Sequence, residues 1–568
     1  MGRFCDFNPT PLSIFYWLAK QMRIGLGQFD AVVGDLEGNA ERMREIYGQA
    51  VGKKVDLLVF PELAVCSYPP EDLLLKKHFL DDNRQVVENL ARRCPDITIV
   101  AGFADYYRGK TYNAAGVLRN GRLANVYRKG LLPNEGVFDE PRYFEPGNKP
   151  MIITLDGLNI AITICRDIWD IEWLGKFLKG AGQIDTLLNI SASPFHLGKI
   201  RTREDIVSDC ATRFKCPVGY CNLVGGQDEL IFDGRSMFAD ATGKIVAMAK
   251  AFEDDLLIAD ITKKGKAVHI KPQPNSSGAD IGLLEEAYRA LVLGTKDYVR
   301  KNGFSKVLIG LSGGIDSAIT AAIAVAALGA ENVTGITMPS KFNSTETISD
   351  AERCAKNLGI QFMTIPIGSV LEQFNGSLEE VDGWDSKGLA YENLQARIRG
   401  TILMSLSNQF GALVLTTGNK SEIAVGYTTL YGDTAGGFAV IKDVFKTMVY
   451  KLAKYISEIN SREVIPKSVI DRMPTAELRS NQKDSDSLPE YDLLDKILKG
   501  YVEEDKSAQQ LIDEGLPKET VSKVIRMVDR NEYKRRQSPP GVKITPKAFG
   551  RDRRLPITNR YNHGNGLK

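Results

Sequence analysis

Along the chain, short apolar runs are separated by turns and by amphipathic stretches. From Arg23 to about Ala267 the runs are Ile24–Phe29, Asp56–Phe60, Ile97–Gly102, Ile160–Cys165, Thr186–Ile190 and Pro217–Asn222. Continuous rather than alternating apolarity marks strands buried on both faces, and segments such as Asn39–Val51 carry helical spacing between them. A layered α/β domain is therefore predicted over 22–270. Residues 1–21 are an upstream extension, because Met22-Arg23-Ile24-Gly25-Leu26 opens a convincing strand. Lys271-Pro272-Gln273-Pro274-Asn275-Ser276-Ser277-Gly278 then reads as the body of a linker over 271–281. From 282 to 568 the pattern alternates. A helix starts near Gly282, the apolar run Val307–Leu311 follows, and helix Ala318–Leu328 is closed by Gly329. Strand Val333–Met338 precedes Ser349-Asp350-Ala351-Glu352, a capping box that opens the next helix. Strand Gln361–Ile367, helix Ala390–Asn408 and strand Ala412–Leu415 complete a doubly wound parallel sheet, whose ligands belong at the carboxyl ends of its strands.

Length agrees with this division: 568 residues are too many for one core and suit two domains of about 250 to 290 residues. A hydrophobic content of 43%, a charged content of 25% and a net charge of +2 give no general attraction to nucleic acid or membranes. Partners must be argued from sites, and small molecules are the expected ones. Eight cysteines form no C-x-x-C pair and are too thinly spread for a disulfide scaffold, so a cytoplasmic, reducing location is expected. No apolar run approaches the roughly 18 residues that cross a bilayer, and 1–21 lack the cationic start and cleavage site of a signal peptide.

The stretch Gly310-Leu311-Ser312-Gly313-Gly314-Ile315-Asp316-Ser317 passes from strand to helix through two glycines, which let the backbone wrap closely round an anion. Two serines add hydroxyl donors, and the helix dipole favours negative charge. The loop is built for phosphate. It lacks G-x-x-x-x-G-K-[ST], and no lysine stands ready for a terminal phosphate. Instead S-G-G-x-D-S resembles the signature of the PP-loop ATP pyrophosphatases. That resemblance implies cleavage of ATP between the α- and β-phosphates, with pyrophosphate held in this loop and an acyl-adenylate left for a nitrogen nucleophile.

Three separated pieces carry the chemistry of the first domain: Phe60-Pro61-Glu62-Leu63, Tyr127-Arg128-Lys129-Gly130-Leu131-Leu132-Pro133, and Ile164-Cys165-Arg166-Asp167. Cys165 stands where an apolar strand stops, so its thiol can project into a site. Among four histidines none has the context of a Cys-His pair, and His196 reads as structural. A carboxylate and a lysine can take the base's place: Glu62 accepts the thiol proton, while Lys129 favours the thiolate and stabilises an oxyanion. Singly, each residue is as well explained as core or surface; their order and contexts together resemble the nitrilase superfamily. That resemblance implies an α/β/β/α sandwich and a Glu62-Lys129-Cys165 triad. It also makes Glu140 the additional buried glutamate that holds the lysine, and has Ser193 and Lys199 in Ser191-Ala192-Ser193-Pro194-Phe195-His196-Leu197-Gly198-Lys199 contact glutamine. Glu135 stands where the glutamine-hydrolysing branch carries tyrosine, and is included in the expected glutamine site.

In the second domain Asp316 and Glu422, the latter in Thr416-Thr417-Gly418-Asn419-Lys420-Ser421-Glu422, are hard oxygen ligands suited to Mg²⁺. Glu422 alone is equally a residue favouring a helix's first turn. Together with Glu392-Asn393-Leu394-Gln395-Ala396-Arg397-Ile398-Arg399-Gly400 and Tyr431-Gly432-Asp433-Thr434-Ala435-Gly436-Gly437, these segments resemble the NAD synthetase family. The resemblance implies a Rossmann-like domain of the adenine nucleotide α-hydrolase type that binds ATP at the loop and Thr417. It also implies that deamido-NAD lies at Asn393, Glu422 and Lys534, although Lys534 in Glu532-Tyr533-Lys534-Arg535-Arg536 would otherwise read as a solvated basic cluster. A homo-oligomer with a dimeric synthetase core, and an octamer as its larger form, is implied too. The combined expectation is a glutamine amidotransferase that carries ammonia from Cys165 to an adenylate. Another PP-loop amidotransferase acting on GMP, asparagine or tRNA synthesis, and a scaffold that merely binds nucleotides, are the competing readings.

Overall fold

Leu57 and Val59 turn to one side of their strand and Leu58 and Phe60 to the other, yet all four are buried, which is the signature of a strand covered on both faces. In the computed structural model, which describes residues 20–274, 278, 281–475, 477–479 and 482–561, that pattern builds a four-layer sandwich. Its first elements are β1 (Lys20–Gln28), α1 (Leu36–Gly52), β2 (Leu57–Val59), α2 (Lys77–Arg93), β3 (Thr98–Tyr107), β4 (Lys110–Arg119) and β5 (Arg122–Arg128). Next come β6 (Met151–Leu155), β7 (Leu158–Ile164), α3 (Ile171–Phe177), β8 (Thr186–Ser191), α4 (Lys199–Phe214) and β9 (Val218–Asn222). The hairpin of β10 (Val224–Gln227) and β11 (Leu230–Asp233) precedes β12 (Met237–Ala239), β13 (Ile245–Met248), β14 (Asp255–Lys264) and β15 (Ala267–Pro272). One sheet has the order β15-β14-β1-β2-β3-β4-β5 and the other β13-β12-β9-β8-β7-β6.

The two sheets meet through Ile24, Leu26, Leu57 and Val59 on one side and Ile160, Ile162, Leu188 and Phe238 on the other. Outside, α1 and α2 cover the first sheet through Met43, Ile46, Val86 and Val87, and α3 and α4 cover the second through Leu174 and Val207. Lys20 and Gln21, assigned from sequence to the extension, belong to β1 and pair with Lys263 and Thr262. Lys271 and Pro272, assigned to the linker, close β15 on the sheet edge, where proline's missing N–H is tolerated. Residues 1–19, 275–277 and 279–280 of those two segments lie outside the described residues.

The second half begins with α5 (Leu283–Lys301), β16 (Val307–Gly310), α6 (Ile315–Leu328), β17 (Val333–Thr337), α7 (Thr345–Leu358) and β18 (Gln361–Thr364). After α8 (Gly368–Leu378) and α9 (Leu389–Phe410) come β19 (Leu413–Thr416), α10 (Lys420–Val425), β20 (Phe438–Ala439) and α11 (Lys446–Ile459). The sheet β18-β17-β16-β19-β20 is parallel throughout. Two expectations change here. Helix α7 opens at Ser344, whose hydroxyl accepts from the Thr347 N–H, so Ser349-Asp350-Ala351-Glu352 lies inside the helix and is no capping box. Strand β18 stops at Thr364, because past the sheet's edge the chain turns into α8.

The halves share packing. Phe195, Ile231 and Phe252 of the sandwich join Ala287, Ala290 and Leu291 of α5 in one apolar cluster. Polar contacts fix the same helix: Arg235 pairs with Glu286 at 2.6 Å, Lys301 with Asp30 at 2.6 Å, and the Gly226 N–H donates to Asp297 at 2.6 Å. Among the described residues no helix is long and apolar enough to cross a membrane.

Candidate functional site

The first site grows from two strand ends. The turn after β2 carries Glu62, and it lies so close to β3 that a Cβ on Gly102 would meet the Leu63 nitrogen at 2.2 Å; only glycine fits there. Both oxygens of the buried Glu62 are used. Oε1 accepts from Lys129 Nζ at 2.7 Å and from Asn113 Nδ2 at 2.7 Å, and Oε2 accepts from the Ala192 N–H at 2.8 Å. Lys129 Nζ also donates to Glu140 Oε1 at 2.7 Å, where the Tyr68 hydroxyl donates at 3.1 Å. At the end of β7, Cys165 is 5% exposed and sits at φ +40°, a left-handed conformation that a cysteine holds only when its surroundings impose it.

Asp167 does the imposing, and its part was not foreseen although its motif was. It accepts from the Ile164 N–H at 2.8 Å, the Gly130 N–H at 3.0 Å, the Leu131 N–H at 2.9 Å and the Tyr127 hydroxyl at 2.7 Å. One carboxylate thus ties the nucleophile's turn to the segment carrying Lys129. Asp167→Asn replaces an acceptor oxygen by an N–H₂ facing donors; we expect a loss of about 2–4 kcal/mol in stability and at least a tenfold loss of glutamine hydrolysis. Thermal melts and glutamate release check both, and wild-type values in each would remove the tie.

Charge in this cluster works in both directions. Burial raises the Cys165 thiol to about 12; the carboxylates of Glu62 and Glu140 push the same way, and the lowering by Lys129 is outweighed. Lys129 thus favours the thiolate, as expected, while burial and the two carboxylates oppose it. Burial likewise raises Glu140 to about 7 against the pull of Lys129, with Glu62 adding to the rise. The ammonium of Lys129 is held charged by the two glutamates despite burial.

At the mouth, Arg166 pairs with Glu135 at 2.9 Å, and Lys199 Nζ lies 4.3 Å from the centre of the Trp169 ring. Ser193 is buried, its hydroxyl accepting from Arg203 Nε at 3.1 Å. Burial lowers His196 to about 4, and its Nδ1 lies 3.0 Å from the Leu197 carbonyl, which fits a neutral structural ring.

The second site is a cavity of about 580 Å³ at the carboxyl ends of the parallel strands. Gly310–Ser317, Asn393, Thr417, Glu422 and Lys534 all line it. Gly313 has φ +84°, and a Cβ there would strike the Thr347 carbonyl at 2.1 Å, so the loop's close turn requires glycine. Ser317 Oγ accepts from the Ser312 N–H at 3.2 Å and Ser312 Oγ from the Gly314 N–H at 3.2 Å, which sets the loop's shape. Lys446, at the start of α11, stands between Asp316 and Glu422: Nζ pairs with Asp316 Oδ2 and with Glu422 Oε1 at 3.0 Å. Asn419 caps α10 by accepting from the Glu422 N–H at 3.0 Å and donates to Asp316 Oδ1 at 3.0 Å. Burial raises Glu422 to about 7; Lys446 opposes the rise, and Asp316 and Asp484 add to it. Lys534 lines the cavity, but its ammonium donates to the Gly426 and Thr428 carbonyls, each at 2.8 Å.

Comparison with known proteins places each half. Residues 21–268 match the carbon-nitrogen hydrolase family and residues 287–538 the NAD synthase family. The chain thus joins a nitrilase-type hydrolase domain to a synthetase domain. Glutamine-dependent NAD(+) synthetases of Thermotoga maritima and Aquifex aeolicus are 44% and 43% identical to it, covering 95% of this chain and 99% and 100% of theirs. A structure of the Acinetobacter baumannii enzyme in complex with adenosine diphosphate superimposes with a TM-score of 0.76 at 43% identity, covering 95% of this chain and 99% of that one. The chain belongs to the family of glutamine-dependent NAD(+) synthetases.

Proposed function

We propose that this chain amidates deamido-NAD to NAD with nitrogen taken from glutamine. The observation that carries the reading is a complete Glu62-Lys129-Glu140 cluster at Cys165, packed in one continuous structure with the cavity of the Ser312–Ser317 loop. In the first site Cys165 Sγ attacks the glutamine amide while Glu62 takes the thiol proton; Lys129 offsets charge on the oxyanion. As the tetrahedral species collapses Glu62 gives that proton to the departing nitrogen, so ammonia leaves and a thioester remains, which water cleaves to glutamate and the free thiol. In the second site the nicotinate carboxylate attacks the ATP α-phosphate, and pyrophosphate leaves into the loop. Ammonia then displaces AMP from the acyl-adenylate. The relative crystallised with adenosine diphosphate supports an adenine nucleotide in this cavity.

Mg²⁺ takes one or two carboxylates with phosphate oxygens and water. Asp316 and Glu422, facing each other across Lys446, fit that demand and would hold it; the ion supplies charge neutralisation at the phosphates. ATP, Mg²⁺ and deamido-NAD, supplied with ammonium or glutamine, test the whole reading. NAD, AMP and pyrophosphate in equal amounts are expected; ADP and phosphate would contradict the adenylate.

Ser193, Lys199 and Glu135 we assign to glutamine. Burial and the neighbouring Arg203 lower Lys199 to about 8. Its ammonium is charged below that pH and neutral above it, so attraction for the glutamine carboxylate fades as pH rises. We expect KM for glutamine to climb through pH 8 with little change in kcat. In Lys199→Arg, whose cation does not titrate there, the climb should vanish; an identical profile in both proteins would remove Lys199 from the glutamine site.

Asn393 and Lys534 we assign to deamido-NAD, with Lys534 first giving up its carbonyl partners. Exposed Val370, Phe374, Leu389, Met404 and Phe410 on α8 and α9 support a dimer through the synthetase domains. Seven free cysteines among the described residues support a cytoplasmic setting.

A further inference from the structure

The Ser312–Ser317 loop has a shape for phosphate and no cation of its own, since neither lysine nor arginine stands between Gly310 and Ser317. Adenylation nonetheless builds charge there. As a carboxylate oxygen of the nicotinate bonds to the α-phosphorus of ATP, the bond from that phosphorus to the bridging oxygen breaks, and its electron pair goes to the departing pyrophosphate. A leaving group that gains negative charge inside a protein needs fixed positive charge beside it. Four cationic side chains line the cavity among the described residues: Arg399, Lys446, Arg472 and Lys534.

Three of them are committed. Lys446 is divided between two carboxylates, Asp316 and Glu422. Lys534 donates to the Gly426 and Thr428 carbonyls. Arg399 stands just past the end of β17, where Nε donates to the Met338 carbonyl at 2.9 Å and Nη2 to Asn343 Oδ1 at 3.2 Å.

Arg472 is at the loop itself. It follows α12 (Lys467–Asp471), and its Nη1 donates to the Gly313 carbonyl at 3.3 Å and to Thr347 Oγ1 at 3.2 Å. Gly313 is the residue whose positive φ makes the loop's turn. On its other side Nη2 pairs with Asp350 of α7, a buried carboxylate that also accepts from the Ser468 hydroxyl at 2.6 Å. Asp350 thus aims the guanidinium at the loop. These bonds occupy at most three of its five N–H groups, and the side chain is 25% exposed, so donors are left for a guest in the cavity. The two contacts toward the loop are to neutral oxygens and are longer than the roughly 2.7–2.9 Å of a bond to an anion. A phosphate oxygen outcompetes both, and the planar fork of a guanidinium matches two such oxygens at once.

We infer that Arg472 is a catalytic residue of the adenylation step, its guanidinium taking the oxygens of pyrophosphate as they gain charge. This rests on the adenylating function proposed above. To test it, magnesium pyrophosphate and AMP are titrated separately onto the full chain by calorimetry. Exchange of labelled pyrophosphate into ATP, dependent on deamido-NAD, measures the step itself. Arg472→Gln should weaken pyrophosphate at least about tenfold, leave AMP within about twofold, and slow the exchange at least about thirtyfold at saturating ATP. Arg472→Lys, which keeps the charge without the fork, should fall between Arg472→Gln and wild type in both measurements, and gives the same comparison in a protein whose cation is retained. Pyrophosphate affinity equal to wild type in both variants overturns the inference. So does an equal loss for pyrophosphate and AMP, the mark of a residue that only shapes the cavity. Wild-type protein that exchanges no pyrophosphate and releases ADP would instead overturn the adenylating function itself, so the two failures are distinguishable.

Discussion

Cys165→Ala abolishes NAD formation from glutamine and leaves formation from ammonium intact: that is the largest effect expected of any single substitution. The thiol is the group we assign to attack the amide carbon, and Glu62 and Lys129 are held by Asn113, Ala192 and Glu140 independently of it. Removing a nucleophile around which its partners are already arranged costs at least about a thousandfold in rate. The second site has its own cavity and its own charges, none of which touches Cys165, so added ammonium reaches the adenylate unhindered. Steady-state rates with each nitrogen source measure the split. Loss of both activities in a folded Cys165→Ala protein would refute the division of labour.

Asp316→Ala depresses both reactions, by about a hundredfold to a thousandfold, and spares glutamine hydrolysis measured alone. Asp316 is held by Asn419 and Lys446 at the N-terminus of α6, beside the Ser312–Ser317 loop. Its loss removes one of the two carboxylates that we assign to the metal and phosphates, and takes from Lys446 one of its two carboxylate partners. Both nitrogen sources meet the same adenylate, so neither escapes the defect. Undiminished NAD formation from ammonium in this variant would exclude Asp316 from the second site.

What could be read from the chain and what could not have physical reasons. Buried strands such as β7 were legible because Ile160 and Ile162 on one face and Ala161 on the other are apolar alike, and the Ser312–Ser317 loop because a phosphate turn needs glycine at a fixed place. Glu62, Lys129 and Cys165 were legible only as a combination, since none of the three is unusual by itself. Lys446 was not legible: it lies in Phe445-Lys446-Thr447, with no local pattern, and becomes a partner of Asp316 only after α6 and α11 pack together. The role of Asp167 hides for the same reason, because three of its four donors come from a different segment of chain. The balance of charge at the thiol was only partly legible. A lysine near a thiol is a local feature, whereas burial and two carboxylates that outweigh it are properties of the folded cluster. The false helix start at Ser349 shows the converse, a good local signal inside a helix already capped at Ser344.

Nitrogen transfer between the two sites is the central claim, and isotope labelling reaches it directly. Glutamine labelled with ¹⁵N in its side-chain amide is turned over with ATP, Mg²⁺ and deamido-NAD in the presence of excess unlabelled ammonium, and the carboxamide nitrogen of the NAD is read by mass spectrometry. Retention of ¹⁵N well above the bulk proportion, with one AMP per NAD, is the predicted result. A carboxamide that carries only the isotope ratio of the solution would contradict it.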